Sequence, residues 1–115
     1  MKNDITRIYG QLRYWGLVTN QFDFSTRWLG QCRSYYSCMK ARQAQPSSEA
    51  TLALLARMRR YNEQLRASDT PRTDIHFGQM SRMLEIEADH LAEQLIQRSL
   101  QRVGQRHAMQ MEMPV

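Results

Sequence analysis

Between Gln21 and Arg42 the chain places apolar residues at helical spacing on both sides of a glycine. Phe24, Trp28 and Leu29 line one short helix, and Cys32, Tyr36 and Met39 line another, with Leu29-Gly30 as the hinge. Residues three and four apart share a helix face, whereas a half-buried strand requires alternation with a period of two. The segment is therefore constrained to two helices meeting at a turn. Arg33, Ser34, Tyr35, Ser37 and Lys40 lie between the apolar positions and are expected to face outward.

The same periodicity runs through the rest of the chain and predicts an all-α fold. A first helix spans about Asp4 to Trp15, with Ile5, Ile8, Leu12 and Trp15 on one side, Asp4 at its start and Gly16 ending it. The second begins after Thr19-Asn20 and ends at Gly30, and the third covers Cys32 to Gln43. After the break at Ala44-Gln45-Pro46-Ser47-Ser48, Ser47 can cap a fourth helix over Ser48 to Ala67, with Glu49 in its first turn. Leu52, Leu55, Met58 and Leu65 are read as its apolar face, flanked by Leu54 and Tyr61. Ser68-Asp69-Thr70-Pro71 marks a second break, and a long last helix follows from about Thr73 to Val103. There Phe77, Met80, Leu84, Ala88, Leu91 and Leu95 form a near-heptad stripe that Ile96, Leu100 and Val103 extend. This divides the chain into a helix-turn-helix domain of about four helices (1–68), a long helix expected to make a dimer (72–104) and a flexible tail (105–115). Phe77, Met80, Leu84, Leu91 and Leu95 are the expected dimerisation residues, although the pattern equally allows this helix to fold back on its own chain.

Charge points to a polyanionic partner for one end only. The net charge is +5, yet residues 1–60 hold ten Lys/Arg against three Asp/Glu, and residues 61–115 hold six against eight. No apolar run approaches the ~20 residues that span a bilayer. The first residues lack a signal-peptide pattern, so a cytoplasmic protein without membrane partners is expected. Two cysteines six apart fit neither a disulfide framework nor a zinc site. Cys32 is read as a small core residue and Cys38 as partly exposed.

A second helix that carries donors and cations past a glycine turn is how a helix-turn-helix presents its recognition helix to the major groove of double-stranded DNA. Arg33 and Ser34 open that helix, where base-reading residues sit, and an arginine can bond guanine O6 and N7 with two parallel donors. Ser37 lies one turn on. Lys40 and Arg42 suit the phosphate backbone, as does Arg27 where the second helix would cross it. Gln31 and Tyr35 are further candidates. Arg57, Arg59 and Arg60 add to the positive field.

Other chemistry has little support in the sequence. Glu87-Ala88-Asp89-His90 holds a Glu-x-x-His pair, but a di-metal bundle needs a second pair and two further carboxylates. Glu85, Glu87, Asp89 and Glu93 read instead as the polar face of the long helix, and His76 and His107 have no partners at ligand spacing. Neither a Ser/His/Asp arrangement nor a cysteine beside a base suggests an enzyme. No cofactor, metal or small-molecule effector is indicated.

The segment Gln21 to Arg42, followed by Pro46-Ser47 and the Leu52/Leu55 helix, resembles the lambda-repressor-like helix-turn-helix group. The family pattern of a turn glycine, a small polar opening to the recognition helix and an apolar residue in its middle is met by Gly30, Cys32-Arg33-Ser34 and Tyr36. The chain departs from it at Thr26, where alanine is usual, and at Phe22, where glutamine is usual. More loosely, Phe-Ser-x-x-Trp-Leu-Gly followed by Ser-Tyr-Tyr looks like small regulators carried on conjugative plasmids and other mobile elements, which repress their own operons as dimers. The resemblance implies a homodimeric, sequence-specific transcriptional repressor that occludes promoters. The alternative is a helical protein-interaction adaptor or anti-regulator acting through the long C-terminal helix.

Overall fold

A computed structural model describes residues 4–67 and 75–112, with side chains described over 5–67 and 78–103. The fold is all-α, and the described residues contain no strand. The helices are α1 (Asp4–Tyr14), α2 (Gln21–Asp23, continued directly by a π-helical turn, Phe24–Trp28), α3 (Tyr35–Ala41), α4 (Ser48–Ala67) and α5 (Ile75–Glu112). None is long and apolar enough to cross a membrane.

Local chemistry sets the ends of these helices. Gly16, at φ +76°, stops α1. Its N–H donates to the Arg13 carbonyl and the Leu17 N–H to the Leu12 carbonyl, so two orphan carbonyls are met by the left-handed turn. Asn20 caps α2 by accepting from the Asp23 N–H at 2.9 Å. Ser47 caps α4 as expected, accepting from the Ala50 N–H at 3.1 Å. The third helix starts at Tyr35, three residues later than its apolar spacing predicts, and Cys32 is exposed rather than in the core. Only Tyr36 and Met39 of α3 are buried, and a seven-residue helix has one narrow inner face.

The core begins with aromatic rings. Tyr9 of α1 packs on Phe24 at 5.2 Å and on Tyr36 at 4.9 Å, and Phe24 meets Tyr36 edge-on at 5.2 Å. Ile5, Ile8, Leu12, Trp28 and Leu29 surround this triangle, and Leu54, Leu55 and Met58 carry the core into α4. The apolar face of α4 is turned relative to the sequence reading. Leu54 is fully buried, whereas Leu52 is 57% exposed, because Ala50, Thr51, Leu54, Leu55, Met58 and Asn62 are the residues that face inward.

The long helix α5 folds back antiparallel on α4. Ser81 Oγ donates to Asn62 Oδ1 at 2.6 Å and Arg66 reaches Glu85 at 2.6 Å at one end, while Arg98 bonds the Pro46 carbonyl at 3.1 Å at the other. Leu84, Ala88 and Leu91 are buried in the same core, with Met80, Met83 and Leu95 packed against it. The expected dimerisation residues Leu84, Leu91, Met80 and Leu95 are thus used within the chain; the side chain of Phe77 lies outside the described ones. Helices on both sides of the expected 68/72 boundary share one core, and the break at Ser68–Pro71 lies outside the described residues. Glu87 does not join the polar face of α5: it is 5% exposed and ion-paired with Arg7 of α1 at 2.9 Å. Past Gly104 the expected tail remains helical to Glu112, because one glycine costs only about 1 kcal/mol within a run of good helix formers.

This burial pattern separates two neighbouring leucines. Leu54→Ala should lower the free energy of unfolding by about 3 kcal/mol, and Leu52→Ala by no more than about 0.5 kcal/mol. Urea denaturation of the two variants measures the difference, and equal losses would contradict the assigned inner face of α4.

Candidate nucleic-acid interface

The turn between α2 and α3 is built around Gly30 and Ser25. Gly30 sits at φ +64°, a conformation that L side chains rarely adopt. The preceding π-helical turn inserts one residue into the helical register, seen as Leu29 N–H bonding the Phe24 carbonyl and Gln31 N–H the Ser25 carbonyl. The shift brings Ser25 to the crossing with α3 and leaves Thr26, the position where the resemblance expects a small residue, on the exposed side. Ser25 is fully buried. Its hydroxyl donates to the Gln21 carbonyl at 2.9 Å and accepts from the Tyr36 N–H at 3.0 Å. One side chain thereby closes the end of α2 and satisfies a first-turn N–H of α3. Burial pushes the Tyr36 hydroxyl above its ordinary pKa, opposed by a hydrogen bond with Thr6.

The eight residues read from the sequence as DNA-binding fall into two groups. Arg33, Ser34, Lys40 and Arg42 are exposed. Arg33 precedes α3 instead of opening it, and its guanidinium stacks over the Phe22 ring, 5.1 Å from the centroid. Ser34 occupies the N-cap position of α3 without making a side-chain cap bond. The second group serves the fold. The Tyr35 hydroxyl accepts from the Ser47 N–H at 3.0 Å and so fastens the loop ahead of α4. The half-buried Ser37 hydroxyl donates to the Ser34 carbonyl at 3.1 Å. Gln31 is half-buried in the turn.

Arg27 is also structural rather than a waiting phosphate ligand. Its Nε and Nη2 both bond the Asp23 carboxylate, the second at 2.7 Å, and Nη2 reaches the Leu17 carbonyl at 3.3 Å. This two-point pair ties α2 to the loop after α1. The Arg27 hydrogen bonds hold the Asp23 carboxyl at a pKa of about 2 against opposing desolvation, helped by the Thr19 N–H. The i,i+4 spacing of Asp23 and Arg27 is the sequence signal that announces the pair. Arg57 of α4 donates from Nε to the Arg27 carbonyl at 3.0 Å, which places α4's own cation beside the end of the π turn.

The electrostatics of the segment are one-sided. From Phe24 to Ser48 the sequence contains Arg27, Arg33, Lys40 and Arg42 and no Asp or Glu. Among the described residues the ion pairs are Arg7–Glu87, Arg27–Asp23 and Arg66–Glu85, so Arg33, Lys40 and Arg42 are left without a carboxylate. Such a surface presents exposed cations without carboxylate partners around a helix anchored by the buried ring of Tyr36. The Glu-x-x-His pair does not converge, since Glu87 is buried against Arg7 while His90 is exposed. Among the described residues no cluster of His, Cys, Asp or Glu could hold a metal ion. The side chains of His76 and His107 lie outside the described ones. Phe22 went unrecognised in the sequence as a functional position, because a cation–π contact across a turn has no fixed spacing.

The Asp23 carboxylate has a lower pKa in the folded chain than in the unfolded one. Its contribution to stability is therefore full above the unfolded value of about 4 and disappears as pH falls towards about 2. An NMR titration of the Asp23 carboxyl should give a midpoint near 2, and Arg27→Ala should return it towards the ordinary range. A midpoint unmoved by that substitution would show that the pair does not hold the carboxylate. No curated protein and no solved structure matches the chain. A family model does match it, over residues 5–110, and the chain thus belongs to DUF6626, a family of unknown function.

Proposed function

We propose that the protein is a sequence-specific DNA-binding regulator of transcription, acting as a homodimer that occludes promoters at pseudo-palindromic operators. The observation that carries this reading is the acid-free stretch from Phe24 to Ser48, whose Arg33, Lys40 and Arg42 are exposed and unpaired around α3. In a packed protein most surface cations sit among carboxylates, and a patch kept free of them suits a phosphate backbone. The resemblance of Gln21 to Arg42 to lambda-repressor-like regulators supports the same reading.

The roles divide by geometry. Lys40 and Arg42, at the far end of α3, take phosphates and fix the register on the duplex. Arg33 takes the base edge, with Phe22 beneath it restricting the guanidinium to few orientations. A guanidinium held in a plane loses less freedom on forming two parallel bonds to guanine. The pair Asp23–Arg27 and the hydroxyl of Ser25 keep α2 and α3 at a fixed angle, so that the three contacts arrive together. A dimer would place its half-sites about 10 bp apart, or a multiple of that.

The alternative, a helical adaptor or anti-regulator, draws on the apolar residues that α5 leaves exposed near its end, Ile96, Leu100 and Val103. It gives no role to the unpaired cations around α3.

The deciding measurement is binding to labelled DNA from the protein's own upstream region against a random duplex, at two salt concentrations. The regulator reading expects tight upstream binding that survives competitor and weakens steeply with salt. Arg33→Ala should abolish the discrimination while leaving the fold intact. Lys40→Ala should weaken both duplexes alike and lower the salt slope by about 1. Absence of binding to either duplex at low salt would favour the adaptor.

A further inference from the structure

The loop between α3 and α4 is held from three helices. Tyr35 of α3 accepts from the Ser47 N–H at 3.0 Å, and Ser47 in turn caps α4. The third hold comes from α5. The half-buried Arg98 donates from Nη1 to the Pro46 carbonyl at 3.1 Å and from Nη2 to Gln45 Oε1 at 3.2 Å, and its Nη1 lies 3.5 Å from Ser48 Oγ. These acceptors are a carbonyl, an amide and a hydroxyl, all neutral. The rigid fork of the guanidinium is thus spent on fixing the shape of a loop and not on meeting an acid. The loop has a reason to need it. The chain leaves α3 through Gln43, whose φ of +51° is a left-handed conformation that side chains other than Gly, Asn and Asp seldom hold. Such a residue keeps its conformation only where the surroundings determine it. Arg98 grips the chain two and three residues beyond that joint. Pro46 supplies no N–H, so its carbonyl is the one backbone group by which it can be held.

We propose that Arg98 is a positioning residue for α3, and that α5 sets the pose of that helix through Gln45, Pro46, Ser47 and Tyr35. The attachment of α5 to α4 does not depend on Arg98. Leu84, Ala88 and Leu91 pack in the shared core, and the Ser81–Asn62 and Arg66–Glu85 bonds tie the two long helices at the opposite end. Removing the Arg98 bonds therefore leaves α4 and α5 together, and the loss falls on the joint with α3. That helix has little to spare. It spans seven residues and buries only Tyr36 and Met39. Its start is fastened by the bond from the Tyr36 N–H to Ser25, and its end is fastened through the loop. Local opening responds first where few apolar contacts oppose it, so α3 is where a weakened loop shows. The consequence for DNA rests on the regulator reading. Arg33 precedes α3 while Lys40 and Arg42 lie at its far end, so they meet one duplex together only if both ends of the helix are fixed.

The test is backbone hydrogen exchange on the full chain without DNA. The reporters are the amides of Cys38, Arg42 and Ala44, which bond the Ser34, Cys38 and Met39 carbonyls, and the amides of Leu54, Leu55 and Met58 at the centre of α4. Arg98→Met keeps the apolar stem and removes the donors. It should speed exchange of the first set at least about tenfold and leave the second within about twofold. Arg98→Lys, which still reaches one acceptor, should recover part of the protection. Tyr35→Phe cuts the same path at the other side of the loop, so it should speed the first set too, and adding Arg98→Met to it should change exchange by less than about twofold. Unchanged exchange in α3 overturns the proposal. So does an equal acceleration in α3 and α4, which is general destabilisation, or a full tenfold effect of Arg98→Met in the Tyr35→Phe background. With DNA from the upstream region, Arg98→Met should weaken binding about tenfold at an unchanged salt slope, since Arg98 takes no phosphate. A wild-type chain that binds no DNA removes the regulator reading, and the exchange result still decides the coupling.

Discussion

Three rings and one hydroxyl set the geometry on which everything else in the N-terminal half depends. Tyr9, Phe24 and Tyr36 come from three different helices and close a triangle with centroid separations of 4.9–5.2 Å. Aromatic packing alone would let the helices slide, since rings tolerate several tilts at similar energy. Ser25 removes that freedom. Its hydroxyl is fully buried, and it can satisfy both the Gln21 carbonyl and the Tyr36 N–H in only one placement of α3 against α2. An unmet N–H at that depth costs about 1–3 kcal/mol, comparable to a large share of the stability of a small domain. The angle between the two helices is thus set by a directional bond inside an apolar shell.

That constraint explains why the surface of α3 can be so lightly anchored. A seven-residue helix buries only two side chains, Tyr36 and Met39, and has little stability of its own. It is held instead from outside its span. Ser25 bonds its first turn, and Tyr35 reaches the cap of α4 through the Ser47 N–H. At its end Gln43 adopts φ +51°, a left-handed turn in which the Ala44 N–H returns to the Met39 carbonyl. With the polar residues that face inward committed to these anchors, Arg33, Lys40 and Arg42 are left exposed and without a carboxylate partner. The division into structural and available groups therefore follows the hydrogen bonds, and residue type alone does not predict it.

Much of the fold was legible in the sequence where a local rule had no competitor. Periodicity located α1 and α4, Gly16 and Gly30 marked the stops, and Ser47 was readable as a cap. It failed where two arrangements share one pattern. The stripe from Met80 to Leu95 has the same heptad spacing whether its partner is α4 or another chain, and only the fold shows that α4 takes it. On α4 itself, Leu52 and Leu54 are only two positions apart but lie about 200° apart around the helix, so assigning one to the core turns the other outward. The π-helical turn was invisible for a different reason. A single inserted residue changes which of Ser25 and Thr26 faces α3, and no composition rule registers it. Cys32 was misplaced because α3 begins after it, so the helical spacing to Tyr36 had no helix to act on.

The two ends of the chain divide the chemistry between them. Acidic residues are absent from Phe24 to Ser48, yet Glu85, Asp89 and Glu93 stand exposed on α5. If those carboxylates lay beside α3 they would neutralise its cations, and the surface would lose its long-range field within about a Debye length of 8–10 Å. The carboxylates instead sit on α5. Glu85 engages Arg66 of α4, leaving Arg33, Lys40 and Arg42 without a carboxylate partner among the described residues. Of the carboxylates in the N-terminal helices, Asp23 is already committed to Arg27 at a pKa of about 2, so it stays paired across the whole neutral range and does not compete for the other cations. The positive surface thus persists because Asp23 and Glu85 are each engaged by a cation of their own and the stretch around α3 contains no acid.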